Sequence, residues 1–235
     1  MSGFERYAIY YAPPSGSELW RWGSAWLGWD AEARAPAEQP QVEGLPGALS
    51  EMTAFSRRYG FHGTLKPPFA LAEGRAADEL IAAAAALAAR TAPFEAPALR
   101  LSAATRFASL RLSAPSPEMS ALAAACVTEL DGFRAPPSEG ELARRRKAGL
   151  TEAQEANLTR WGYPYVLEAF SFHLTLAGPL EAEALARVAE ALAPRVAPLC
   201  RAPLPVTEIA VYGDPGGGAP FALIERLPFA GRAAA

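Results

Sequence analysis

Two five-residue stretches constrain this chain more than anything else in it: Phe61-His62-Gly63-Thr64-Leu65 and Phe172-His173-Leu174-Thr175-Leu176. Both read Phe-His-x-Thr-Leu, and together they use both of the 2 histidines in the sequence. Side chains of a β-strand alternate between faces, so a His and a Thr two residues apart share one face, about 6.5 to 7 Å apart along the strand. That spacing suits one phosphate. An imidazole with an ordinary pKa of about 6.5 exchanges protons near neutrality, and a neighbouring hydroxyl donates to a phosphoryl oxygen.

The surrounding sequence supplies the scaffold. Arg6 to Ala12 reads as a strand stopped by Pro13-Pro14, since proline has no ladder donor. Ser17 is placed to cap a helix carrying Leu19, Trp20, Trp22, Trp26 and Leu27, an aromatic face that reads as core rather than as a cofactor box. Residues 31–50 lack periodicity and form a loop able to border a site. Pro67-Pro68 ends the first His-x-Thr strand, and a helix over Gly74 to Arg90 follows. Strands over Ala98 to Ala103 and Phe107 to Ser113 lead to a helix from Ser116 or Pro117 to Leu130. Ser138 with Glu141 and Thr151 with Gln154 each fit a capping box, predicting two short helices. The first carries Arg144-Arg145-Arg146-Lys147, which reads first as a solvated helix face and second as a phosphate-attracting rim. After the second His-x-Thr strand come a helix from Glu181 to Arg195 and strands over Pro205 to Tyr212 and Phe221 to Phe229.

The order strand, helix, His-x-Thr strand, helix, strand thus occurs twice. We expect 1–235 to be a single two-lobed domain built from an internal duplication, about 5–104 and 105–229, with a helical insertion at about 134–162. An approximate twofold between the repeats would turn both His-Thr pairs into one cleft. Independent core roles for two histidines would not require the same Phe before and the same Thr and Leu after. A metal site is the next reading, but two histidines without a third ligand at suitable spacing leave its coordination incomplete, so no metal is expected. No Gly-x-Ser-x-Gly elbow is present and neither Cys126 nor Cys200 lies near a His in sequence, which leaves nucleophilic catalysis without a signature.

With 22 basic against 25 acidic residues and a net charge of -3, nothing supports a broad nucleic-acid surface. A small phosphorylated partner is expected and DNA is not; RNA is a lesser reading. Cys126 and Cys200 read as reduced core thiols. No signal core and no run of eighteen or more apolar residues is present, so a cytoplasmic protein without a membrane partner is expected, as a monomer.

These residues carry a resemblance. Paired His-x-Thr motifs about a hundred residues apart in a duplicated unit resemble the two-histidine (2H) phosphoesterase superfamily. Tyr59 to Phe69 and Arg160-Trp161-Gly162-Tyr163-Pro164-Tyr165 further resemble an uncharacterised bacterial branch encoded among phosphonate-utilisation genes. The resemblance covers the whole chain. It implies an α+β fold of antiparallel sheets facing a central cleft with helices outside, no cofactor, and metal-independent hydrolysis of a small phosphoester, a cyclic phosphate of a sugar or nucleotide. It places the catalytic histidines on His62 and His173 and the phosphate-holding hydroxyls on Thr64 and Thr175. Lys66, Arg58 and Arg57 are candidate cations, and Tyr59, Phe61, Phe172 and Tyr163 candidate cleft walls, with core packing as the competing role of the aromatics. The alternatives are a module that binds a phosphometabolite or RNA end without turnover, and an RNA 2′,3′-cyclic phosphodiesterase or ligase-like processing enzyme.

Overall fold

In a computed structural model, residues 3–232 are described; the ends of the expected 1–235 domain, 1–2 and 233–235, lie outside them. Seven strands form one sheet: β1 (Arg6–Tyr11), β2 (Gly63–Phe69), β3 (Leu99–Ala104), β4 (Phe107–Leu112), β5 (His173–Ala177), β6 (Glu208–Asp214) and β7 (Ala222–Pro228), in the order β7-β6-β1-β2-β5-β4-β3. All neighbours pair antiparallel. The fold is therefore α+β, as expected, and its two half-sheets run on into each other. They meet where β2 pairs β5 through a single register pair, Gly63 with Leu174. The lobes interleave in sequence: β6 returns from the end of the chain to pair with β1, while β3 pairs with β4.

The helices obey their caps. In α1 (Glu18–Leu27) the Ser17 hydroxyl accepts from the Trp20 amide at 3.1 Å, and Trp20 and Trp26 are buried. The alanine-dense α2 (Ala77–Arg90) packs on β6 and β7, and α3 (Pro117–Glu129) on β2. Both capping boxes form at the starts of α4 (Glu139–Arg146) and α5 (Glu152–Trp161), each satisfying two otherwise orphaned amides. The last helix, α6 (Ala182–Val196), lies on β3 and β4. The main core fills the space between these helices and one face of the sheet. A second cluster, with Tyr10, Trp20, Tyr212 and Phe221, lies on the other face of β1 and β6.

The loop over 31–50 is pinned away from the cleft. Glu32 pairs with Arg226, Arg34 donates to the Leu223 carbonyl at 3.3 Å, and none of its residues lines the cavity described below. Cys126 is buried, its thiol pushed up to about 12 by burial, whereas Cys200 is half-buried and packs against the core from its edge. Among the described residues no helix is long and apolar enough to cross a membrane.

Candidate active site

The alternation that places His62 and Thr64 on one face also selects their neighbours. On β1, Tyr10 is paired with Thr64 and shares its face, and its ring stacks on the His62 imidazole at 3.8 Å between centroids. Gly60 precedes His62 with φ +75°, a left-handed conformation that glycine adopts without strain. A Cβ there would meet the Ala31 methyl at 3.0 Å. This turn aims the Gly60 carbonyl at His62 Nδ1, 2.9 Å away. The His62 Nε2 then lies 3.1 Å from Thr64 Oγ1. His173 repeats the arrangement, with Nδ1 2.7 Å from the Ser171 carbonyl.

A carbonyl oxygen only accepts, so both neutral rings carry their proton on Nδ1 and leave Nε2 bare. Burial pulls the His62 pKa down to about 4, against the Gly60 hydrogen bond, with the nearby His173 adding to the fall. Burial also lowers His173, opposed by the Ser171 carbonyl and assisted by Arg111. Both rings are therefore neutral near pH 7.

His62, Thr64, His173 and Thr175 line one cavity of about 550 Å³. It also takes in Arg58, Tyr59 and Tyr163, three of the residues read from the sequence as substrate contacts. Its wall also includes residues not singled out there as contacts, among them Arg6, Tyr10, Phe55 and Ser56. Arg6 and Tyr10 had a signal, because positions four apart on β1 share a face. Arg144 and Arg145 of α4 line it too, which puts these two residues of the basic run at the cavity rather than on a wholly solvated face. Arg146 instead pairs with Glu155 at 2.7 Å on the surface. An adjoining cavity of about 520 Å³ shares His173, Thr175 and Tyr163 and adds Phe107, Tyr165 and Arg111.

Four sequence candidates lie elsewhere. Lys66 would share the Thr64 face in a regular strand, but between Thr64 and Lys66 the partner β1 advances only from Tyr10 to Ile9. The extra residue, Leu65, makes a bulge, which turns Lys66 to the opposite face. There Lys66 is 2% exposed, donates to the Val127 carbonyl at 3.0 Å and pairs with Asp131 at 3.6 Å. Burial pulls its pKa down to about 8 despite that carboxylate. Phe61 and Phe172 are buried, Phe61 edge-on to Trp22 and Phe172 edge-on to Tyr11. Each directly precedes its histidine and so points to the other side of the strand, into the core. Arg57 does not line the cavity either.

Behind the cationic wall sits Asp214, 1% exposed at the end of β6. One carboxylate oxygen accepts from Arg6 Nε at 3.0 Å and lies 3.7 Å from Arg58, while the other accepts from the Gly216 amide at 3.0 Å. Sequence offered no signal for its ion pairs, because Arg6 is brought to it only by the pairing of β1 with β6. The Arg145 guanidinium, on the wall of the same cavity, lies over the Tyr163 ring, 4.5 Å from its centroid. Among the described residues no group of three or more His, Cys, Asp or Glu comes together as a metal site.

Fold and cavity define an α+β protein in which two antiparallel half-sheets each contribute one His-x-Thr strand to a shared, arginine-rich cavity. The chain belongs to the family described as "Protein of unknown function (DUF1045)", whose model matches residues 64–222. It is 38% identical over 232 residues to a protein named ribose 1,5-bisphosphate phosphokinase PhnN from Janthinobacterium sp. (strain Marseille), covering 97% of this chain and 51% of that one. A protein of the same name from Laribacter hongkongensis (strain HLHK9) is 39% identical over 222 residues, with 93% and 50% covered. The chain thus spans about half the length of these curated relatives. Among solved structures, E. coli LigT complexed with 3′-AMP matches over 95% of this chain and 97% of that chain, with a TM-score of 0.45 and 16% identity.

Proposed function

We propose that this protein is a metal-independent phosphodiesterase that hydrolyses a small phosphoester, a cyclic phosphate of a sugar or nucleotide. The observation that carries the reading is the matched pair of imidazoles. In each, the carbonyl two residues upstream fixes the proton on Nδ1 and leaves Nε2 bare, and the threonine two residues downstream lines the same cavity. The reading takes the two lobes as copies of one duplicated unit, each supplying half of the site.

In the reaction, one neutral imidazole removes a proton from water as the water oxygen bonds to phosphorus. The other imidazole, protonated, gives its proton to the leaving oxygen as the phosphorus–oxygen bond breaks. Each proton transfer contributes roughly 10²- to 10⁴-fold. The rings end with their protonation exchanged. A bound anion favours the charged imidazole that the free cavity disfavours. Thr64 and Thr175 donate to the phosphoryl oxygens, and the arginines stabilise the charge that develops there.

The relatives are named as a phosphokinase, and those proteins are about twice as long as the aligned chain. This chain has no Gly-x-x-x-x-Gly-Lys-Ser/Thr loop to cradle a nucleoside triphosphate. The ribose bisphosphate in that name is consistent with a phosphorylated sugar as the substrate class. Purified protein in excess EDTA should release product from 2′,3′-cyclic nucleotides or ribose cyclic phosphates. His62→Ala and His173→Ala should each abolish the reaction. Turnover that survives both substitutions overturns the mechanism, and tight binding without product in the unmodified protein favours a binding module instead.

A further inference from the structure

The cavity holds more positive charge than a single phosphodiester requires. Arg6, Arg58, Arg144 and Arg145 all line it, and among the described residues no carboxylate does. Asp214 pairs with Arg6 and Arg58 from behind. Of these arginines Glu141 pairs with Arg144, at 3.9 Å on the surface, where such a pair is worth little. A diester brings one negative charge to this wall. A phosphomonoester would add roughly 1.5 to 2 more at neutral pH.

Hydrogen bonding singles out three of the lining residues. Among the described residues five buried side-chain atoms have no hydrogen-bond partner, and three of them belong to cavity-lining residues: Ser56 Oγ, Arg58 Nε and Arg145 Nε. All three can donate, and a buried donor without a partner costs about 1 to 3 kcal/mol. Arg58 is oriented by Asp214, and Arg145 is flattened against Tyr163. Two guanidinium groups pre-positioned in this way suit the oxygens of a terminal phosphate. None of the three belongs to the His-x-Thr strands, so the donors for the scissile phosphate stay free to act on it.

We propose that Ser56, Arg58 and Arg145 form a second anion subsite, which takes a terminal phosphomonoester carried by the same substrate whose diester lies between His62 and His173. The proposal rests on the phosphodiesterase reading and narrows it to substrates that already carry a phosphate at a second position, with a bisphosphate as product.

The test is equilibrium binding of adenosine 3′-phosphate against adenosine 3′,5′-bisphosphate, measured by titration calorimetry on the unmodified protein, Arg58→Gln and Arg145→Gln. Neither nucleotide contains a diester, so the result does not depend on turnover. The bisphosphate should bind about 10- to 100-fold more tightly than the monophosphate. The preference should shrink severalfold in each variant. Arg145→Gln lies on α4, which has no buried residue, so this variant tests the subsite without disturbing the core. A ratio near one in the unmodified protein, whether both nucleotides bind or neither does, overturns the subsite, as does a preference that persists in both variants. A preserved preference alongside inert cyclic nucleotides would instead overturn the hydrolytic reading and leave the subsite standing.

Discussion

The His62 ring donates from Nδ1 to the carbonyl oxygen of Gly60, two residues upstream and 2.9 Å away. His173 does the same to Ser171 at 2.7 Å. The protein has only 2 histidines, so the consequence is directly visible. Nitrogen-15 spectra at neutral pH should show both side chains as the Nδ1–H tautomer. A ring carrying its proton on Nε2 would contradict the arrangement in which both bare nitrogens serve the cavity.

Depressed histidine pKa values also set a stability profile. The unfolded rings bind protons below about pH 6.5, whereas folded His62 resists protonation down to about 4. Between those limits the unfolded state holds more protons, so stability is fully present above pH 6.5 and falls as pH drops, by at most about 1.4 kcal/mol per pH unit for one ring. Denaturant titrations at pH 7.5 and 5 should show a smaller loss in His62→Gln than in the unmodified protein. Inorganic phosphate, which favours charged rings, should reduce the loss in the unmodified protein. Equal losses with and without the ring would remove His62 as the source.

Much of this site was legible because it depends on local rules. Two-residue periodicity placed His62 with Thr64, and hydroxyl spacing marked the helices at Ser138 and Thr151. Lys66 defeated the same rule, because the bulge at Leu65 exists only in the pairing of β2 with β1. Arg145 was ambiguous for a related reason: which side of a solvated helix meets the cavity is decided by Tyr163, 18 residues away in sequence and in contact only in the folded chain. Asp214 is set by a strand pairing across the length of the chain. Locally encoded geometry was readable, and geometry fixed by long-range pairing was not.

Asp214 separates orientation from chemistry. Asp214→Asn keeps the shape and an acceptor for the Gly216 amide but removes the charge that holds Arg6 and Arg58. KM for a turned-over substrate should rise more than kcat falls, with about 1 to 3 kcal/mol lost from stability as charge-assisted hydrogen bonds weaken. Steady-state kinetics and denaturation on the same preparation check both parts. A kcat collapse with KM unchanged would give Asp214 a different role.

Lys66 should behave in the opposite way. Lys66→Met leaves Asp131 paired with Arg134 and Arg160 but removes the donor to the Val127 carbonyl. Stability should fall by about 1 to 3 kcal/mol, while KM stays where it was. A KM increase matching that of Arg58→Gln would return Lys66 to the cavity.

Gly63 is the point at which the two halves touch. Its register partner is Leu174, and a Cβ added to it would lie 2.5 Å from Phe172 Cε2 and 3.3 Å from Leu174 Cδ2. Those contacts belong to the residues on either side of His173, so relief of the clash must move the strand that carries it. Overpacking of this kind costs about 1 to 3 kcal/mol. Displacing the two imidazoles relative to each other should cost activity beyond the stability loss, since misplacement by about 1 Å can cost 10²-fold in rate. Gly63→Ala paired with Phe172→Leu, which shortens the opposing side chain, should recover part of both. Full activity in Gly63→Ala alone would mean that the contact between the two strands does not set the distance across which the proton-transfer pair works.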